Sequence, residues 1–280
     1  MNRFYVHIIF IPFLMMLFVD FVSAQEPQKL KKLKQPKYEI VDTSRLAVIY
    51  VHRTYDPVLD LAKAPDEMLL IGDKFSMYRS YGNYKLDSLL SENPDMTYKE
   101  YKGYHKEFDS FQDNLIKSYD SGTLRYGGWI FMNSYKYTEE IPKIQWKLGK
   151  GRETILGKIC RKATCRFRGR DWTAWYCPDI PIGEGPWKFG GLPGVILKME
   201  DSKGEHLIEA TEIRKASIPF GYPQKLYVKS TREKYLKELA DYKNDPLKSF
   251  ESAGTVAKDK DGNIIRPRRK KLFYNPIELE

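Results

Sequence analysis

Residues 157–177, GKICRKATCRFRGRDWTAWYC, decide the fold of this chain. Two runs of strand-like composition, 157–167 and 172–177, flank Gly169-Arg170, and a glycine at this place favours a tight hairpin turn. The stretch therefore predicts a pair of antiparallel strands. Other short strand-like runs lie on both sides of the hairpin, at 129–132, 144–148, 195–199 and 206–213. Because turn residues separate these runs, the whole region is predicted to form an antiparallel meander.

The flanking sequence adds strands and helices to the meander. Strands are predicted at Leu46–Val51 and on both sides of a turn at 72–74. Aromatic residues spaced three and four apart over 98–115 predict a helix. Thr231 caps a second predicted helix, which ends before Pro246. The predicted fold class is α+β, with a strongly curved, half-barrel-like antiparallel sheet and a few helices packed on it.

The first 24 residues are predicted to be a secretory signal peptide. Arg3 precedes an apolar run, 4–22, and the small residues Ser23-Ala24 suit cleavage after Ala24. A membrane anchor is the alternative, but Pro12 and Asp20 interrupt the run. The sequence therefore predicts a protein in the periplasm or outside the cell, with no transmembrane span after signal cleavage.

The mature chain, 25–280, is predicted to be a single domain with a flexible loop at 254–270. Hydrophobic residues make up 42% of the chain and charged residues 30%, which is enough apolar material for a core. The formal net charge is +10, with basic clusters at 29–34 and 266–271. In an exported protein these clusters are expected to be solvated tails, and nucleic acid is not an expected partner.

The sequence contains none of the common catalytic motifs. The sequence has no Gly-x-Ser-x-Gly elbow, no glycine-rich phosphate loop and no His-Glu-x-x-His helix. His52, His105 and His206 are scattered after the signal peptide, whereas metal sites usually place two ligands within a few residues of each other. No catalytic residue, metal or cofactor is therefore predicted.

The three cysteines, Cys160, Cys165 and Cys177, all fall in the predicted hairpin. With a two-residue loop at 169–170, Cys160 shares a face with Cys177, and a bridge between them requires the register to adjust by a residue pair. With a three-residue loop, Cys165 lies on the side of Cys177 instead. An odd number leaves at least one thiol over. The enzymatic alternative is a thiol-dependent hydrolase in which Cys165 or Cys160 acts with His206.

The stretch 172–197 is unusually rich in proline, glycine and tryptophan. Prolines fix φ and glycines permit close backbone approach, so the segment is predicted to hold one rigid shape. One interpretation makes it a binding element that offers aromatic rings to a ligand. The other makes it a structural plug at the open end of a curved sheet. The predicted ligand-binding residues are Trp175, Tyr176, Pro186, Trp187, Phe189, Gly191, Leu192, Pro193 and Gly194.

The same stretch resembles the GLPGLI family of secreted bacterial proteins. The naming motif corresponds to Gly191–Ile196, GLPGVI, in which Val195 replaces the usual leucine. Thr173–Tyr176, Gly185–Trp187 and the tail Asn275–Leu279 are also similar to the family pattern. The resemblance implies an exported protein of Bacteroidota, of uncharacterised role, often encoded near outer-membrane receptors of the TonB-dependent kind.

The sequence thus favours a non-enzymatic envelope protein. It is expected to bind an apolar or peptide-like ligand, or a membrane-protein partner, through the rigid aromatic loop. Two alternatives stay open. One is the thiol-dependent hydrolase, and the other is a structural accessory of an outer-membrane TonB-dependent receptor.

Overall fold

The computed structural model describes residues 33, 35–108, 113–252 and 271–280. The predicted signal peptide and the predicted loop at 254–270 lie outside these residues, as does most of both basic clusters. All described residues belong to one compact unit, Lys32–Glu280. Among the described residues, none of the helices is long and apolar enough to cross a membrane.

The described residues form fifteen strands and four helices. The strands are β1 (Tyr38–Thr43), β2 (Leu46–Asp56), β3 (Leu61–Lys63), β4 (Asp66–Ile71), β5 (Phe75–Ser80), β6 (Asn114–Ser118), β7 (Thr123–Ile130), β8 (Asn133–Glu140), β9 (Lys147–Ile155), β10 (Lys158–Phe167), β11 (Arg170–Cys177), β12 (Val195–Asp201), β13 (His206–Lys215), β14 (Pro219–Pro223) and β15 (Val228–Lys229). The helices are α1 (Tyr81–Glu92), α2 (Tyr98–Glu107), α3 (Arg232–Asn244) and α4 (Pro246–Ser252).

One large sheet dominates the fold and confirms the α+β class. Its strand order is β15-β8-β7-β6-β5-β4-β2-β13-β12-β11-β10-β9, with β3 added beside β2, and β1 pairs with β14 in a separate two-stranded sheet. The predicted strong, half-barrel-like curvature is wrong, because the sheet is neither closed nor strongly curled. The loop between β11 and β12 and helix α3 pack against this sheet, so its residues become buried without the sheet curling round on itself.

The predicted hairpin is confirmed with a shifted turn, and the predicted meander is confirmed from β9 to β13 only. The run at 129–132 falls at the end of β7, which β6, β5, β4 and β2 separate from β13. Strands β9 to β13 are neighbours in sequence order, and β10 pairs with β11 from Phe167 opposite Arg170 outward. The two loop residues are therefore Arg168 and Gly169, one position earlier than expected. Both have positive φ, 48° and 79°, as a type I′ hairpin turn requires.

The predicted helix over 98–115 is only partly correct. Helix α2 begins after Thr97, which forms a reciprocal capping box with Glu100, and it ends at Glu107. Leu115 instead lies in β6, which pairs with both β5 and β7. Pairing on two sides outweighed the helical spacing of the aromatic residues. The second predicted helix, α3, begins after Thr231 as expected, and the Thr231 hydroxyl accepts a hydrogen bond from the Lys234 amide.

The centre of the large sheet is buried on both faces. On β2, Ala47 and Ile49 belong to one hydrophobic cluster, while Val48 and Tyr50 belong to another, larger one. Successive side chains of a strand point to opposite faces, so β2 is covered on both sides. The larger cluster also takes in the loop between β11 and β12 and helix α3, and this face carries the candidate site.

Candidate functional site

The loop 178–194, between β11 and β12, is held in place by two buried lysines. The ammonium of Lys117, on β6, donates to the Glu184 carboxylate at 2.8 Å and to the carbonyl oxygen of Phe189 at 2.8 Å. The ammonium of Lys188 lies 2.5 Å from the carboxylate of Glu139, on β8, and 2.6 Å from that of Glu278 in the terminal segment. A buried charge is tolerated only when it is paired, so these contacts fix the loop against the sheet.

Two glycines of the GLPGV motif are required by the backbone. Gly191 has a φ of 84°, in the left-handed region that side chains disfavour. Gly194 packs so closely that a Cβ there would collide with the carbonyl oxygen of Cys177. The return of the chain into β12 therefore accounts for both glycines without any ligand.

Phe189 is enclosed by other rings. It has no exposed surface, and its ring centre lies 5.0 Å from that of Trp172 and 5.4 Å from that of Phe167. The indole of Trp146 covers a third side and donates to the carbonyl oxygen of Gly190 at 2.8 Å. Phe189 is therefore a core residue that fastens the loop, and its ring does not face solvent.

Trp187 adopts a strained backbone conformation. Its φ is 54°, which is rare for a bulky residue and costs about 1–3 kcal/mol. The ring is half-buried and packs edge-on against Tyr126, with centres 5.6 Å apart, and its N–H donates to Glu278 at 3.0 Å. Such strain persists only where the surroundings hold it, and it is concentrated at functional sites.

A cavity of about 200 Å³ lies against the Trp187 ring. Its walls come from the large sheet, the loop, helix α3 and the segment 271–280. Leu239 of α3 and Ile277 of the terminal segment supply aliphatic surface. The aromatic lining residues are Tyr126, Tyr137, Trp187, Tyr235, Phe273 and Tyr274. The polar lining residues are His52, Glu67, Asp113, Lys243, Asn275 and Glu278.

A chain of polar side chains ends at the cavity. Tyr78 donates its hydroxyl hydrogen to Glu67, and the Glu67 carboxylate lies 3.4 Å from Nδ1 of His52. Nε2 of His52 lies 3.0 Å from Nδ1 of His206. Burial, followed by the nearby charges of His52 and Arg170, lowers the pKa of His206 to about 3. His206 is therefore neutral near pH 7. This row of polar side chains presents fixed hydrogen-bonding groups to the cavity.

Asp113 is a second carboxyl group in the cavity wall. Burial raises the pKa of Asp113 to about 6, although a hydrogen bond with Tyr126 and the charge of Lys243 oppose this shift. A carboxyl group with this pKa exists in both protonation states near neutral pH. It can donate or accept a hydrogen bond, depending on what occupies the cavity.

The terminal segment 271–280 closes one side of the cavity and is anchored by Arg170. The buried Arg170 guanidinium donates to Asp201 at 2.8 Å and to Glu205 at 2.7 Å. It also donates to the carbonyl oxygen of Pro276 at 3.0 Å. The amide of Leu279 donates to the carbonyl oxygen of Arg168 at 2.9 Å, so the β10–β11 turn and the tail hold each other.

The nine predicted ligand-binding residues do not form one surface. Only Trp187 lines the cavity. Half-buried Trp175 lies on β11, with the Lys162 ammonium 5.8 Å from its ring. Tyr176, Pro186, Phe189, Leu192 and Gly194 are buried, and Gly191 and Pro193 are exposed in the turn before β12. The structure therefore divides the set among the core, a surface turn and the cavity.

Burial makes the cysteines poor nucleophiles. All three are buried free thiols in the structure. Burial is the first cause that raises the pKa of Cys160 and of Cys165 to about 12, so both are protonated near pH 7. Because the thiolate is the attacking species, this disfavours the thiol-dependent hydrolase. In the described ranges, no three His, Cys, Asp or Glu side chains are grouped so that they could hold a metal ion.

Sequence reasoning missed most of the cavity wall. His52 and His206 lie far apart in the sequence and come together only because β2 pairs with β13. Glu67, on β4, and Asp113, just before β6, reach the same cavity through the order of β4, β5 and β6. Adjacent strands were expected from the meander, but the contact between β2 and β13 has no local signal. A pattern of isolated polar residues inside strands is the one available hint.

Comparisons with known proteins add little beyond this geometry. A family model described as a protein of unknown function (Porph_ging) matches residues 168–198, which contain the β10–β11 turn and the whole loop. No curated protein matches the chain. Two solved structures, of PNGF-II in the P21 and C2 space groups, are similar at 14% identity and a TM-score of 0.49. Each comparison covers 72% of this chain and 34% of the other, so this chain spans about a third of their length.

Proposed function

We propose that this chain is an exported, non-enzymatic envelope protein that binds a small ligand in the cavity beside Trp187. The observation that carries the proposal is the strained Trp187 backbone, which places the indole on the cavity wall. Strain at a bulky residue costs free energy and indicates a function to be sought there. The predicted binding role of the loop is thereby narrowed from nine residues to Trp187.

The size of the cavity limits the ligand. An engineered apolar cavity of about 150 Å³ accepts benzene, whereas drug-sized ligands occupy roughly 300–1,000 Å³. At about 200 Å³, this cavity suits a ring-sized molecule or a single inserted side chain of a peptide. A long acyl chain is too large for it. The apolar or peptide-like ligand expected from the sequence is therefore proposed here in this smaller form.

The chemistry of the wall limits the ligand further. Tyr126, Tyr235 and Trp187 provide flat apolar surface, which suits an aromatic or short aliphatic body. Glu67 and Asp113 provide carboxyl oxygens that accept hydrogen bonds. A ligand with one ring and one hydrogen-bond donor would satisfy both parts of the wall. Phenols, indoles and small aryl amines have this form.

The location and family rest on the sequence. The signal peptide, with cleavage after Ala24, and the resemblance to the GLPGLI family support a periplasmic or secreted protein. The family-model match to residues 168–198 falls on the loop that carries Trp187. An outer-membrane receptor of the TonB-dependent kind is proposed as a partner on the resemblance alone. No nucleic acid, cofactor or metal enters the proposal.

The test compares ligand binding by the wild type with ligand binding by a variant in which a larger side chain fills the cavity. Thermal unfolding is followed with indole, phenol or benzylamine added, and native mass spectrometry is run on protein purified from its own host. At least one probe is expected to raise the midpoint, because a ligand that binds only the folded state stabilises it. Leu239→Phe fills the cavity from α3, and Leu226→Phe makes the same change at a residue that is 96% exposed.

The two variants separate cavity binding from binding elsewhere. Leu239→Phe is expected to lose the probe-dependent shift, measured against its own midpoint without probe, and Leu226→Phe to keep it. An equal shift in both variants places the binding site outside the cavity. If no probe shifts the midpoint and the native protein carries no bound molecule, the proposed function is wrong.

A further inference from the structure

The register of β10 and β11 sets two cysteines opposite each other. The strands pair from Phe167 and Arg170 at the turn to Arg161 and Tyr176. The next position in this register places Cys160 directly opposite Cys177. Cα atoms of directly opposite residues are about 4.5–5.5 Å apart in antiparallel strands. A disulfide needs about 4.4–6.8 Å, so the strand register brings this pair within bridging range.

The two thiols also share one environment. Cys160 and Cys177 both have no exposed surface and belong to the same hydrophobic cluster. Burial, followed by the adjacent Cys177 thiol, raises the pKa of Cys160 to about 12. The effect of one thiol on the other agrees with the contact that the strand register implies.

The third cysteine is too distant to compete. Cys165 lies opposite Trp172, five residues along β10 from Cys160. At about 3.3 Å per residue, it is roughly 16 Å from both Cys160 and Cys177. Two cysteines whose Cα atoms are more than about 7 Å apart cannot be bridged in a folded strand pair. The register leaves only one intramolecular disulfide, and Cys165 stays free.

We propose that Cys160 and Cys177 form a cross-strand disulfide while the chain folds, by exchange with a small-molecule or protein disulfide. One cysteine thiolate attacks a sulfur of the donor disulfide and expels the other sulfur as a thiolate. The second cysteine then attacks the resulting mixed disulfide and forms the Cys160–Cys177 bond. Two electrons and two protons pass from the cysteines to the donor, which leaves as two thiols.

The burial of the thiols sets when this exchange occurs. Exchange needs a thiolate and access for the donor. In the folded protein both thiols are inaccessible, and the Cys160 thiol is protonated near pH 7. The bond therefore forms before the hairpin is buried, and once formed it is protected from reductants. Protein that has folded in the reduced form is expected to oxidise slowly.

The experiment is oxidative refolding followed by peptide mapping. The full chain is unfolded with reductant, refolded in mixed oxidised and reduced glutathione, alkylated and digested without reduction. The expected product is a Cys160–Cys177 linked peptide, with Cys165 alkylated and the protein lighter by two hydrogen atoms. Three alkylated cysteines, or any linkage that includes Cys165, would overturn the proposal.

A second measurement keeps the proposal testable if a variant folds poorly. Wild type that is refolded under reducing conditions, with all three thiols free, is expected to melt roughly 5–10 °C below the oxidised wild type, because the bond restricts the unfolded chain. Cys165→Ser is expected to show the same difference. The double variant Cys160→Ala/Cys177→Ala is expected to show none. Equal midpoints for the reduced and the oxidised wild type, despite a mapped linkage in the oxidised form, would contradict a structural bond in the native fold.

Discussion

Trp187 and Phe189 are two residues apart in the same loop, yet their side chains lie in different environments. Phe189 is enclosed by rings, and next to it Lys188 is buried against Glu278. Trp187 has one part of its ring against Tyr126 and another on the cavity. The binding element and the structural plug, which the sequence offers as alternatives, therefore describe different residues of one segment.

The buried side of the loop should carry most of its stability. Phe189→Ala removes a ring from a fully closed site and is expected to lower the free energy of unfolding by about 3–5 kcal/mol. Phe189→Leu, which keeps much of the volume, is expected to cost less than about 2 kcal/mol. Urea unfolding measures both. A loss below about 1 kcal/mol for Phe189→Ala would mean that the loop does not depend on this ring.

The same contrast explains what the sequence could predict. The hairpin of β10 and β11, the meander from β9 to β13 and the Thr231 cap of α3 depend on local patterns, and these predictions are confirmed. The helical spacing predicts a helix at Leu115, whereas Leu115 lies in a strand. Its pairing with β7 is set by the assembled sheet, so its neighbours in sequence do not reveal it. Rigidity of the Pro/Gly-rich loop is a local property, whereas the direction in which each ring points is not.

The cavity was less accessible to sequence reasoning than the loop. Its wall joins β2 with β13, β6, α3 and the terminal segment, which are distant in the chain. Isolated residues such as His52 and Asp113 look like surface residues until these elements are assembled. The tail 275–279 could be singled out from the sequence, because it resembles the pattern of the GLPGLI family. In the structure, the contact between Arg170 and Pro276 joins this tail to the hairpin of β10 and β11.

The cavity side should respond to pH. Burial raises the pKa of Asp113 from its usual 3.8 to about 6, so the folded protein holds a proton that the unfolded chain releases between these values. Folding is therefore favoured by Asp113 at low pH, and this contribution is lost as pH rises through about 6. As the pH rises from about 4 to about 7.5, the free energy of unfolding of Asp113→Asn is expected to increase by about 1–3 kcal/mol relative to that of the wild type.

This difference is measured by urea unfolding at both pH values. Asp120→Asn, in an exposed turn, makes the same chemical change outside the cavity and is expected to leave the pH dependence of the wild type unaltered. An Asp113→Asn variant that follows the wild type at both pH values would show that the cavity wall is as well solvated as the surface.

The smallest change in stability and the sharpest test of the contrast are expected at Trp187. Trp187→Phe keeps a ring against Tyr126 and removes the N–H that donates to Glu278, which retains Lys188 and Arg232 as partners. The free energy of unfolding is expected to fall by about 1 kcal/mol. The affinity for whichever probe stabilises the wild type is expected to fall at least tenfold. Phe189→Leu should show the opposite pattern, with unfolding affected and probe binding retained. If Trp187→Phe destabilises the protein strongly and leaves probe binding intact, then both rings act as parts of one plug, and the ligand contacts other walls of the cavity.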